Sequence, residues 1–137
     1  MSLLHPHMHQ QKFSPRAEYR RQEGERVQNS ATLAQRFGDL KSLTVDLAFF
    51  SPEALSSSSR LKYTVNLAHA KSVFRFDCPN HDCVEGDFDL SAELAKAIAA
   101  HHSSVSGEAV CQGWRSKTVI DTARCGHILR YKLTVGY

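Results

Sequence analysis

The sequence lacks the features that identify several large classes of protein. No apolar run approaches the ~18 residues that a membrane-spanning helix needs. The first residues, MSLLHPHMHQQ, have neither the basic start nor the apolar stretch of a secretory signal peptide. Seven glycines and four prolines are too few for a collagen-like or low-complexity chain, and a net charge of +3 is too small for an acidic or basic tail protein. We therefore expect a single-domain protein of the cytoplasm, where cysteines are usually thiols or metal ligands.

The common catalytic motifs are also missing. The sequence contains no H-E-x-x-H, no G-x-S-x-G, no G-x-x-x-x-G-K-[ST] and no H-x-E paired with P-C-x-x-C. The C-x-x-C of thiol oxidoreductases is absent as well. Asp87 and Asp89 have the spacing of a Mg²⁺ pair, but acidic residues before a helix are usually caps, and His101-His102 is typical of a helix end. We therefore expect no enzymatic activity and no small-molecule substrate.

Two segments precede the first predicted strand. Residues 1–13 have the composition of a disordered lead, and the alternating histidines of HPHMH are the one feature there that is able to hold a divalent metal. Residues 14–38 predict short helices, with Ser14-Pro15 as a start and Gly38 as a stop. Neither helix has a wide apolar stripe. We therefore expect both on the surface and dispensable for the folding of residues 39–137.

From Leu43 onward, apolar and polar residues alternate as in half-buried strands. An acidic loop and then a helix with Leu90, Leu94 and Ile98 on one face follow the third strand. The order β-β-β-α-β-β predicts an α+β domain, in which a helix covers one face of a mainly antiparallel five-stranded sheet. The predicted inward residues are Leu43, Val45, Leu47 and Phe49; Leu61, Tyr63, Val65 and Leu67; Phe74, Phe76 and Cys78; Val105, Ala109 and Cys111; and Leu129, Tyr131, Leu133 and Val135.

The four cysteines are predicted to meet at one end of this sheet. Cys78 and Cys83 form a C-x4-C pair, whereas Cys111 and Cys125 stand apart. If the third strand, the helix and the fourth strand form a crossover in one sheet, Cys78 and Cys111 end at the same edge. Cys83 and Cys125 lie in the loops at that edge. Four thiolates suit the tetrahedral coordination of Zn²⁺, and a closed four-cysteine site is structural because no position is left for substrate.

Other interpretations of the cysteines stay open. They include buried core thiols, disulfides or redox thiols, and replacement of one cysteine ligand by His81 or His127. Residues 77–93 carry six acidic side chains and no basic one. The basic residues predicted to balance the formal charge of a zinc–thiolate centre are Arg115, Lys117 and Arg124. Trp114 is expected to cover the metal site.

These patterns predict a non-catalytic zinc-binding domain that acts as a protein-binding or adaptor module. An uncovered polar sheet face and the charged N-terminal helices supply the docking surfaces, for a protein partner or a second copy. Cysteines at strand ends resemble those of zinc ribbons in a broad sense, although the C-x4-C spacing and the intervening helix depart from that pattern. That resemblance implies a nucleic-acid-binding protein as the alternative, against which the inward positions of Tyr63 and Tyr131 count. A thiol redox sensor is the second alternative.

Overall fold

The computed structural model describes residues 15–52, 59–80, 83, 86–113 and 125–137. None of the helices in these ranges has the length and hydropathy needed to cross a bilayer. The predicted disordered lead, residues 1–13, lies outside them. In chain order the elements are α1 (Pro15–Asn29), α2 (Leu33–Arg36), β1 (Ser42–Phe50), β2 (Ser59–Thr64), β3 (Arg75–Asp77), β4 (Asp87–Asp89), α3 (Ser91–Ala99), β5 (Ser104–Val110) and β6 (Ile128–Gly136).

Four strands form one antiparallel sheet in the order β2-β1-β6-β5. The two central strands, β1 and β6, pair along their whole length, from Ser42 opposite Gly136 to Phe50 opposite Ile128. Burial alternates along β6, and the predicted inward residues of both strands are buried. The predicted α+β class and the inward faces of these two strands are confirmed, because strict alternation leaves one side of a strand for the core.

The prediction of a five-stranded sheet is wrong, because the third strand does not join it. β3 pairs instead with β4, which lies in the predicted acidic loop, and Phe76 stands opposite Phe88. Phe88 is 2% exposed, and its ring centroid lies 5.7 Å from that of Phe49 in the sheet. The two-stranded ribbon of β3 and β4 therefore packs on the core. Because the acidic residues Asp87 and Asp89 flank Phe88, the segment has the composition of a loop, and the sequence did not indicate that Phe88 anchors β4.

The outer strand β2 has the predicted face but not the predicted burial. Leu61 stands opposite Leu47 and Tyr63 opposite Val45, so both side chains lie on the inward face of the sheet. Leu61 is nevertheless 47% exposed and Tyr63 37% exposed. Among the described residues, the packed layer over the sheet ends before it reaches this edge strand. Alternation of apolar and polar residues specifies the face of the sheet on which a side chain lies, but not whether another element buries that side chain.

The helix α3 covers the sheet with Leu94, Ala97 and Ile98 buried. Its N-cap is Leu90, which makes no side-chain capping hydrogen bond, so the predicted polar cap on this helix is not formed. The Asp89 carboxylate accepts the Ser91 backbone N–H at 2.9 Å, and the Ser91 hydroxyl accepts the Phe74 N–H at 2.7 Å. The helix thereby also positions the β3 segment.

The second short helix is part of the core, contrary to prediction. Leu33 in α2 is fully buried, and its N–H donates to the Ala70 carbonyl at 2.8 Å. Thr32 and Gln35 form a capping box that fixes the helix start. A four-residue helix is too short to display an apolar stripe, so a single leucine gave no periodic signal. The predicted division at residue 39 stays a prediction.

Replacing Leu33 tests whether this segment supports the fold. We expect Leu33→Ala to lower the free energy of unfolding by about 2–5 kcal/mol, because it leaves a cavity in a fully buried position. The matched control is Leu61→Ala on the exposed edge strand, which should cost less than about 1 kcal/mol. Urea unfolding followed by circular dichroism measures both. Equal losses in the two variants would show that α2 does not belong to the core.

Candidate metal centre

Each of the four predicted cysteines lies at the end of a strand or in a turn next to one. Cys78 follows β3, Cys83 lies between β3 and β4, Cys111 follows β5, and Cys125 precedes β6. The backbone N–H of every cysteine is hydrogen-bonded. The acceptors are Gly86 O for Cys78 (3.1 Å), Asn80 O for Cys83 (2.9 Å), His127 O for Cys111 (2.8 Å) and Gly113 O for Cys125 (2.7 Å). Main-chain hydrogen bonds therefore fix the backbone position from which each cysteine side chain extends.

The four sulfur atoms lie within 4.8 Å of one another. The Sγ atoms of Cys78 and Cys125 are 3.7 Å apart, and those of Cys83 and Cys111 are 3.5 Å apart. Four sulfurs placed ~2.3 Å from a central Zn²⁺ at tetrahedral angles stand ~3.8 Å from each other. The two short separations match that figure, and the cluster as a whole needs only small shifts to reach it.

The cysteines meet by a different route from the predicted one. Cys78 arrives on the ribbon of β3 and β4, which is not part of the main sheet, so no crossover within one sheet joins it to Cys111. Cys111 directly follows β5 and Cys125 precedes β6, next to the place where the end of β5 lies beside the start of β6 in the main sheet. The centre therefore connects two separate sheets.

Burial divides the cluster into two halves. Cys111 and Cys125 are each 1% exposed and belong to the hydrophobic core. Cys78 and Cys83 are half-buried, and a cleft of about 410 Å³ between α1 and the ribbon reaches them. Solvent thus approaches the cluster from the ribbon side.

Two glycines allow the backbone to come close to the sulfur atoms. A Cβ atom at Gly86 would overlap the Sγ atoms of Cys83 and Cys111. A Cβ atom at Gly113 would lie 2.6 Å from the Cys83 Sγ and 2.6 Å from the Gly86 Cα. No larger residue fits at either position while the cluster keeps its shape. Neither glycine was predicted to belong to the site, although Gly86 follows Cys83 by three residues and Gly113 follows Cys111 by two.

Polar groups around the cluster point hydrogen atoms at sulfur. The Gly113 N–H donates to the Cys111 Sγ at 3.4 Å, and the Asn80 side-chain amide donates to the Cys125 Sγ at 3.6 Å. The His127 Nδ1 lies 3.4 Å from the same Cys125 Sγ. Donors of this kind stabilise negative charge on a thiolate. His127 therefore contacts a cysteine of the cluster.

The thiols of Cys78, Cys83 and Cys111 affect one another's ionisation. The hydrogen bond with Cys111, together with burial, raises the pKa of Cys78, and burial is the main cause that raises the pKa of Cys83 to about 12. The hydrogen bond from Cys78, assisted by the Gly113 N–H, lowers the pKa of Cys111 to about 5 against the effect of burial. Charge on Cys111 thus keeps protons on Cys78 and Cys83, and a cation in the middle of the cluster would favour their ionisation.

Several residues predicted to belong to the site lie outside the described ranges. They are His81, Trp114, Arg115, Lys117 and Arg124. The acidic pair Asp87 and Asp89 is described and is not part of the four-cysteine group; Asp87 pairs with Arg75 at 2.8 Å and Asp89 with Arg26 at 3.1 Å. Burial opposes ionisation of Asp89, but its hydrogen bonds with Ser91 and Arg26 lower its pKa overall. Both carboxylates are thus paired with arginines, and Asp89 also accepts the Ser91 backbone N–H beside the start of α3.

No protein-family model, curated protein or solved structure matches the chain. The chemistry of the donor set is therefore the guide to what the cluster holds. Four sulfur ligands from three stretches of chain, two of them buried, fit a tetrahedral metal ion that prefers soft ligands. All four donors would be used by such an ion, which leaves no position for a reacting molecule.

The two glycines supply a test of this geometry. We expect Gly86→Ala and Gly113→Ala each to lose most of the bound metal, because the new methyl group would displace sulfur ligands. Gly24→Ala is the matched control, since nothing lies within 4 Å of a Cβ at that position and alanine favours the helix α1. Elemental analysis of each variant, with a chelator competition, measures the effect. Full metal content in both site variants would contradict the close approach described above.

Proposed function

We propose that the chain is a non-catalytic domain that binds one structural Zn²⁺ through Cys78, Cys83, Cys111 and Cys125. The observation that carries this proposal is the gathering of four cysteine sulfurs within 4.8 Å. Four independent core thiols have no reason to gather at one point, whereas a tetrahedral metal site requires it. Tetrahedral sulfur sites hold zinc or iron, and zinc needs no redox partner and no open coordination position.

The structural role follows from the segments that the cysteines join. The metal would tie the ribbon of β3 and β4 to the end of β5 and the start of β6, and would join Cys78 to Cys125 over a sequence separation of 47. β3 and β4 are three residues each, and an isolated two-stranded ribbon is marginal in water. Zinc binding at such a place contributes directly to folding free energy. The long central strands and α3 supply a core of their own, so loss of metal should loosen one end of the domain.

We further propose that the zinc-stabilised domain is a protein-binding or adaptor module of the cytoplasm. Two features support this proposal. The ion would occupy all four sulfur ligands, and the outward face of the main sheet is polar and uncovered among the described residues. A reducing compartment keeps the thiolates ready for the metal. We also retain the division into residues 14–38 and 39–137 as a proposal.

Metal analysis and one cysteine variant test the zinc proposal. Protein purified without chelator should carry one equivalent of zinc and no visible absorption band of an iron–sulfur centre. Cys111→Ser should lose most of the zinc and melt at least about 10 °C lower, because a buried ligand is removed and the ribbon is released. Part of its far-ultraviolet dichroism should remain, since β1, β6 and α3 keep their packing.

Histidine variants are the control for this ligand set. His81→Ala and His127→Ala should each keep one equivalent of zinc, because neither side chain is a ligand in the proposed centre. Zinc well below one equivalent in the wild-type protein would contradict the proposal. Retention of zinc by Cys111→Ser together with its loss from His81→Ala would move the ligand assignment to the histidine.

A further inference from the structure

The outward face of the main sheet is open. Along β6, Arg130, Lys132 and Thr134 are exposed, and so are Arg60, Lys62 and Thr64 along β2. The helices and the ribbon that the structure describes contribute the buried residues of the opposite side. Within the described part of the chain, then, this face of the sheet has solvent over it. We name the cations Arg60, Lys62, Arg130 and Lys132 the basic face.

The strand register places these four cations as two pairs. Lys62 and Lys132 flank Asp46 of β1 in one row, and Arg60 and Arg130 flank Ala48 in the next. Two residues along a strand correspond to ~6.6–6.8 Å, so the row with the two lysines lies that far from the row with the two arginines. The cations therefore repeat along the strand direction at the spacing of alternate side chains in an extended peptide.

Ala48 makes a hollow between the two arginines. Its small side chain leaves a depression of about 270 Å³ that Arg60 and Arg130 border on opposite sides. The Arg130 guanidinium lies 4.9 Å from the centroid of the Phe50 ring, which holds the arginine beside the hollow. Phe50 is an outward-facing aromatic residue that the alternation of β1 places next to the buried Phe49. The hollow thus combines positive charge with an apolar floor.

Carboxylates of the same sheet neutralise only part of the positive charge of the basic face. Arg60 is 3.6 Å from Asp46, and Arg130 is 3.4 Å from Glu108. Such exposed pairs are weak and open easily. Lys62 and Lys132 have no ion-pair partner among the described residues. Four cations against two carboxylates leave this face with a net charge of +2.

We propose that the basic face docks an extended protein segment with acidic side chains at alternate positions. This inference deepens the proposed adaptor function, on which it rests, by naming the surface and the chemistry of the partner. Carboxylates of the segment would bind Lys62 and Lys132. Other carboxylates of the segment would replace the internal ion-pair partners of Arg60 and Arg130. Charge complementarity of this kind sets specificity and the rate of encounter.

The carboxylates of the face favour a protein over a nucleic acid as the occupant. Asp46 lies between Lys62 and Lys132 in the row, and Glu108 lies next to Arg130. A continuous phosphate backbone crossing the sheet would meet both negative charges. A protein segment avoids this repulsion, because it can place a hydroxyl or a cation where it passes Asp46 or Glu108.

Binding of a defined peptide to the zinc-loaded chain of 137 residues tests the proposal. The probe is a fluorescently labelled peptide of alternating glutamate and serine, with alternating lysine and serine as its control, measured by anisotropy. The double variant Lys62→Glu/Lys132→Glu should weaken binding of the acidic peptide about tenfold or more. Arg36→Glu/Lys41→Glu changes net charge equally at exposed positions away from the face and should stay within about twofold of wild type.

The other outcomes each overturn the proposal. Equal weakening in both double variants would show attraction to overall charge, and absence of peptide binding would show that the face has another role. Tighter binding of an oligothymidylate of similar length would identify a nucleic-acid surface. Zinc content measured on the same samples separates this test from the metal proposal: one equivalent of zinc without peptide binding removes the docking surface alone.

Discussion

The meeting of four cysteine sulfurs is the constraint on which one end of the molecule depends. Cys111 and Cys125 are fixed where β5 and β6 lie side by side, and Cys78 and Cys83 come from a ribbon too small to hold its place by pairing alone. The ribbon packs on the sheet through Phe88, whose ring lies 5.7 Å from that of Phe49, so apolar burial and the sulfur cluster hold the same short segment. Electrostatics strengthen this dependence, because burial and the neighbouring Cys111 hold the protons of Cys78 and Cys83 unless a cation balances the charge.

The opposite surface of the sheet has a different physical character. Its strands are held by the β1–β6 ladder and by the core beneath it, so the outward side chains are free to carry charge. The exposed cations on β2 and β6 contribute little to stability, since surface charge pairs are weak. A rigid sheet that is stabilised elsewhere can present such charges at fixed spacing, which is what recognition of an extended partner requires.

Alternation in the sequence was sufficient to predict the central strands, their inward faces and the helix with Leu94 and Ile98. It was insufficient for β3 and β4, because three-residue strands carry almost no period and the acidic neighbours of Phe88 resemble a loop. Leu33 gave no signal for a similar reason, since one buried leucine in a four-residue helix is not a pattern. The exposure of Leu61 on the edge strand was equally unpredictable, because whether a side chain is buried depends on other elements packing over it.

The sequence by itself determined the composition of the site: four cysteines, the absence of a catalytic motif beside them and strand ends on which they stand. Only the tertiary structure decided how the sulfurs meet, because that distance depends on the packing of the ribbon against the sheet. It also decided that Gly86 and Gly113 are required at the cluster, since the lack of a Cβ is necessary only where another atom occupies the space of that Cβ. Local pattern specifies which side chains face inward, whereas contacts between segments distant in the chain depend on packing that no local pattern records.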